Sequence, residues 1–180
     1  YEHRGRKRVI FPQIHIPQLF SEKVASSRTV FSATATRTVA GTNLNPGTAS
    51  PLQWDNDVAN SGFTHSDSSN SQNITLDSAA KYLVYVNLPL ESNGQRVAPQ
   101  MTIKLAGSEV TGGVASQGYL RNSDGINKSS LHWVGLVSSA SSNQVLTVEI
   151  VKRSTVTNNT TVPSGEKGSI FIEKLADTNN

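Results

Sequence analysis

One segment does most to restrict the fold of this chain. In AKYLVYVNLPL, residues 80–90, Tyr82, Val84, Val86 and Leu88 fall on one face of an extended backbone and Leu83 and Tyr85 on the other. Alternation with period two belongs to a strand, whose side chains leave opposite faces in turn, and a helix with 3.6 residues per turn cannot satisfy it. Because both faces are largely apolar, a central strand is predicted. QVLTVEIVK sets Leu146, Val148 and Ile150 against Thr147 and Glu149, and PQMTIKLAG sets Met101, Ile103 and Leu105 against Thr102 and Lys104, the pattern of strands buried on one face. VFSATATR, QNITL, QGYLR, LHWVGLV and GSIFIEKL are further candidates, separated by the turn-forming clusters NPGTASP, SDSSNS, ESNGQ, SDGIN and VPSGEKG. Asn93-Gly94 and Asp124-Gly125 are expected to supply the positive φ angles of tight reversals. No segment holds ten residues of helical periodicity. The chain is therefore expected to be all-β, a jelly-roll two-sheet sandwich of about 8–10 strands.

Composition agrees with a packed body. The 180 residues are 36% hydrophobic and 16% charged, and Ser and Thr together fill 40 positions and Asn 15 more, so the surface is polar but nearly neutral. The absence of cysteine removes disulfides, thiolate nucleophiles and cysteine-ligated zinc, leaving packing and association to supply stability. No apolar run approaches the roughly 20 residues of a membrane-spanning helix.

Charge is unevenly placed. Residues 1–28 carry six Lys or Arg against two Glu, a balance of +4, while residues 29–180 carry ten against eleven, a balance of −1. The basic cluster Arg4, Arg6, Lys7 and Arg8 precedes an apolar strip of Val9, Ile10, Phe11, Ile14, Ile16, Leu19 and Phe20. Pro12 and Pro17 remove two backbone donors and hold their neighbours extended, so the strip reads as neither a helix nor a central strand. Pro, Gln and His interrupt it, and no small-residue cleavage site follows, so it is not read as a signal peptide. Leaving such side chains in water costs about 1.5–3 kcal/mol for each large one. Extended, the first twenty residues reach about 60 Å. Residues 1–29 are accordingly expected to form an anchoring arm laid on a neighbouring subunit, residues 30–176 a jelly-roll body, and residues 177–180 a short tail. No aromatics are interleaved with the arm's basic cluster for base stacking, so it suits an acidic protein surface, with nucleic acid or solvated disorder as open alternatives.

GFTHSDSSNSQNITLDSAAKYLVYVNLPL, followed by MTIKLAGSEV, SNQVLTVEIV and the terminal GSIFIEKL, resembles the trimeric jelly-roll heads of the tumour necrosis factor and complement globular-head superfamily. The resemblance spans roughly residues 30–175. Phe63, Tyr82 and Phe171 stand where those heads carry a Phe-containing turn, a Tyr strand and a Phe-centred last strand; Ala80, Val84 and the region of Glu173 depart from the pattern. The resemblance implies a homotrimer, with Tyr82, Val84 and Phe171 as candidate contacts near the threefold axis. Similar heads occur in bacteriophage virions as decoration and fibre-tip domains.

Nothing in the sequence assembles a catalytic set. His3, His15, His65 and His132 are scattered without metal-ligand spacing, and Asp55 and Asp57 in WDNDV fall far short of a calcium loop. There is no Gly-x-Ser-x-Gly elbow, and VTGGVASQG lacks the Lys of a phosphate loop. Sequons at Asn73, Asn127, Asn158 and Asn159 are no more than so Asn-, Ser- and Thr-rich a chain yields by chance. The expectation is a non-enzymatic protein with no cofactor and no membrane span. It is read as a trimeric virion decoration or cement protein on the capsid surface, with the major capsid protein or other virion subunits as partners. A receptor-binding fibre or spike tip is the first alternative, and a capsid jelly roll with a genome-facing arm the second.

Overall fold

The computed structural model describes residues 29–35, 43–94, 96–116, 120–121, 127–156 and 158–177, and the side chains of all of these but 176 and 177. The expected arm, residues 1–28, therefore lies outside the described residues. Those described contain twelve strands and no helix. β1 (Val30–Ala35), β3 (Asn56–Asn60), β6 (Ala80–Ser92), β9 (Lys128–Ser138), β11 (Thr160–Thr161) and β12 (Gly168–Asp177) form one antiparallel sheet. β2 (Ser50–Pro51), β4 (Phe63–Thr64), β5 (Ile74–Leu76), β7 (Pro99–Leu105), β8 (Ser108–Ser116) and β10 (Gln144–Lys152) form the other. Three of the twelve, β2, β4 and β11, are two-residue pairings. Without them nine remain, within the expected range.

The 13-residue β6 is central, as its two apolar faces predict. β9 pairs along one side of it, from Lys81↔Ser138 to Glu91↔Lys128. β12 pairs along the other up to Asn87, and β11 continues that side at Glu91 and Ser92. β1 joins β12 through Ser32↔Phe171, and β3 forms the outer edge. The expected QGYLR strand is reduced, in what is described, to one bridge between Val97 and Leu120.

The core lies between the sheets and draws on alternate residues of every long strand. Phe31 and Ala33 of β1, Tyr82 to Leu90 of β6 at even positions, Met101 and Ile103 of β7, Leu146 and Val148 of β10, and Ile170 and Ile172 of β12 are all buried. Phe63 bridges Phe31 and Tyr82, with ring centroids 5.9 and 5.8 Å apart, tilted or edge-on as aromatic quadrupoles prefer. The Tyr82 hydroxyl donates to the Ser78 carbonyl at 2.8 Å, so the ring is buried without an orphaned oxygen.

One of the two expected turns differs from expectation. Asn93 and Gly94 are not among the positive-φ residues; the left-handed position is Arg96, at φ 65°. The Ser92 hydroxyl accounts for this, accepting from the Gly94 N–H at 3.2 Å and donating to the Gly94 carbonyl at 3.0 Å, which builds the turn from a side chain. Asp124-Gly125 lies outside the described residues. The tightest reversal instead joins β7 to β8, where Leu105 pairs with Ser108 and the two loop residues Ala106 (φ 48°) and Gly107 (φ 78°) are both left-handed. That geometry favours Asn-Gly, and Ala pays about 1–2 kcal/mol for its Cβ there. Ala106→Asn is expected to stabilise the protein by about 1 kcal/mol, raising the thermal midpoint by about 2–4 °C in a scanning calorimeter. An unchanged or lower midpoint would show that this turn carries no such strain.

Candidate functional site

Since even positions of β6 face the core, its odd positions face outward, and register decides what they meet. Tyr85 sits between Val134 of β9 and Phe171 of β12, and Leu83 sits between Leu136 and Glu173. Directly opposed residues in an antiparallel pair share a face with Cβ atoms about 4.5–5.5 Å apart, so these side chains form two adjoining rows across three strands. Tyr85, Val134 and Leu136 are 41%, 65% and 60% exposed, and Leu83 and Phe171 are half-buried. The next row, His132–Asn87–Ser169, is polar and bounds the stripe. Single exposed apolar residues are ordinary, but a contiguous group on one face marks a surface that something covers.

The outer face of the second sheet is different. Thr102, Lys104, Thr147 and Glu149 dominate it, and Lys104 Nζ pairs with Glu149 Oε2 at 2.7 Å across β7 and β10. Among the described residues Val114, at 40% exposure, is the exposed large apolar residue on it, and Val145 and Val151, at the parity of Thr147 and Glu149, are half-buried and separated by those polar residues.

Of the three candidate trimer contacts, Tyr82 and Val84 are 1% and 0% exposed and fill the chain's own core. They are withdrawn from any neighbour by the parity of β6. Phe171 is on the opposite, outward face, beside Tyr85. Leu83 and Tyr85, which complete the stripe, stood in the sequence as the second apolar face of the same strand. The signal that singles them out is its coincidence with Val134 and Leu136 at alternate positions of HWVGLV. The arm candidates Arg4, Arg6, Lys7, Arg8, Val9, Ile10, Phe11, Ile14, Ile16, Leu19 and Phe20 lie outside the described residues.

One polar group is buried that the sequence left scattered. The His65 side chain is fully buried, its Nε2 lies 2.9 Å from the Ser71 carbonyl, and its Nδ1 lies 2.7 Å from Asp57 Oδ1 as a close contact without hydrogen-bond alignment. Its ring meets Phe31 edge-on, with centroids 5.0 Å apart. Asp57 also accepts from Asn60 Nδ2 at 3.4 Å. Asp57 is thus engaged in fastening the 65–71 loop to β3. Among the described residues no three His, Cys, Asp or Glu side chains gather as metal ligands do.

No protein-family model matches the chain, and no curated protein matches it in sequence. Solved structures do. The Eiger TNF from S. frugiperda superposes with a TM-score of 0.52 at 12% identity, over 85% of this chain and 96% of that one. Murine APRIL superposes with TM-scores of 0.50 and 0.51, from its pH 5.0 and pH 8.0 crystals, at 13% and 12% identity, over 82% of this chain and 99% of the other. At such identity the likeness is one of fold: the body is a TNF-like jelly roll.

Proposed function

We propose that this chain is the trimeric jelly-roll head of a virion structural protein, a decoration or cement subunit on the capsid surface. In this reading residues 1–29 run onto the major capsid protein or other virion subunits. The observation that carries the self-assembly is the apolar stripe of Leu83, Tyr85, Val134, Leu136 and Phe171, contiguous on the outer face of one sheet, where on the other Thr102, Lys104, Thr147 and Glu149 separate the apolar residues. A second copy presents the same stripe, and repetition about a threefold axis closes the assembly without an open edge. The resemblance to trimeric heads favours three copies. The particle setting is supported by the basic and apolar arm, with its +4 balance, beside a nearly neutral body. Function lies in these surfaces, without a catalytic centre or cofactor.

Removing residues 1–20 is expected to leave a trimer with the same thermal midpoint that no longer co-sediments with particles. Attachment at the wild-type level by the truncated protein would remove the arm from the account. A fibre or spike tip is the second reading, favoured by a polar recess at one end of the first sheet.

A further inference from the structure

β6 ends where β9 begins on one side of it and β11 pairs on the other, and the three ends enclose a recess of about 220 Å³. Glu91, Ser92, Asn93, Asn127, Asn159 and Thr161 line it. Backbone bonds fix its shape: the Ser92 N–H donates to the Asn127 carbonyl at 3.0 Å and the Asn93 N–H to the Asn159 carbonyl at 3.4 Å. The Asn127 carboxamide donates to Glu91 Oε1 at 3.2 Å, holding carboxamide and carboxylate side by side.

We propose that this recess binds one ring of a neutral sugar. Its volume is below the roughly 300–1,000 Å³ of sites for drug-sized ligands, which suits a single ring. Its lining mixes groups that donate and accept (three carboxamides and the Thr161 hydroxyl) with a carboxylate that only accepts, while the Ser92 hydroxyl is already engaged with Gly94. Sugar hydroxyls both donate and accept, so they complement such a set, and a ring lacking them leaves its polar groups unpaired. An anionic ligand is disfavoured, because no lining residue among those described is cationic and Glu91 is negative. A dication takes about six to eight oxygens, and one carboxylate among neutral groups brings little charge to replace its hydration shell. No aromatic ring among the described residues lines the recess, so recognition rests on hydrogen bonds. The inference requires no particular oligomer, and its failure leaves the assembly reading standing.

Saturation-transfer NMR on the full chain tests it, with methyl α-D-glucopyranoside, methyl α-D-mannopyranoside, methyl α-D-galactopyranoside and N-acetyl-D-glucosamine as probes. At least one is expected to give saturable transfer that persists in EDTA and weakens at least tenfold in both Asn127→Ala and Glu91→Gln. Thr161→Val, which keeps the side-chain shape, supplies a third variant, and an unchanged thermal midpoint identifies those that fold. Absence of saturable transfer from all four sugars overturns the proposal. So does transfer that EDTA abolishes, or transfer that the folded variants leave unaltered.

Discussion

The double substitution Val134→Asp with Leu136→Asp is expected to turn the proposed trimer into a monomer of 19.3 kDa in sedimentation. Each side chain forfeits about 1.5–3 kcal/mol of burial against a neighbour. Together they weaken each interface by about a hundredfold to ten-thousandfold, before the cost of desolvating two carboxylates adds to it. The folded body should barely notice, since 65% and 60% of these residues already meet solvent within one chain. Val114→Asp, on the polar face of the other sheet, is the matching control and should leave the oligomer intact. A wild-type protein that sediments at 19.3 kDa, or a double variant that sediments as three times that mass, would end the assignment of this face to self-association.

The second large effect concerns what holds the two sheets together at the β8–β9 end. Trp133, 7% exposed, reaches from β9 in the first sheet to β8 in the second, where its indole N–H donates to the Gly112 carbonyl at 2.8 Å. The ring fits because residue 135 has no side chain: a Cβ there would lie 2.5 Å from the indole's Cζ2. Trp133→Ala is expected to cost about 3–5 kcal/mol, lowering the thermal midpoint by roughly 6–20 °C. Trp133→Phe keeps much of the volume and loses chiefly the hydrogen bond, about 0.5–1.5 kcal/mol. Equal losses for the two variants would assign the effect to the hydrogen bond alone, and a shift under about 2 °C for Trp133→Ala would deny the clamp altogether.

These two sites were not equally visible in the sequence. LHWVGLV announces a strand, and nothing in it says that Trp133 crosses to Gly112, 21 residues earlier in the chain. The recess is harder still, because Glu91, Asn127 and Asn159 meet only where the ends of three strands converge. Asp57 and His65 stand eight residues apart, yet their contact depends on the β3–β4 reversal and the loop after it.

By itself the sequence determined the strongly alternating strands β6, β7, β9, β10 and β12 and the two sets of side chains in each, because period-two alternation and turn residues act over a few neighbours. That is why Tyr82, Val84, Val86 and Leu88 were grouped correctly. It missed β3 and β8, whose small and polar residues alternate weakly, and it offered QGYLR, of which one bridge is described. It left open which set of β6 faces inward, since Leu83 and Tyr85 are also apolar. Only pairing with β9 and β12 decided that, by lining Tyr85 up with Val134 and Phe171 on the outside while the even residues met the second sheet. A local pattern fixes alternation, but which face is buried depends on what packs against it, and that partner comes from distant parts of the chain.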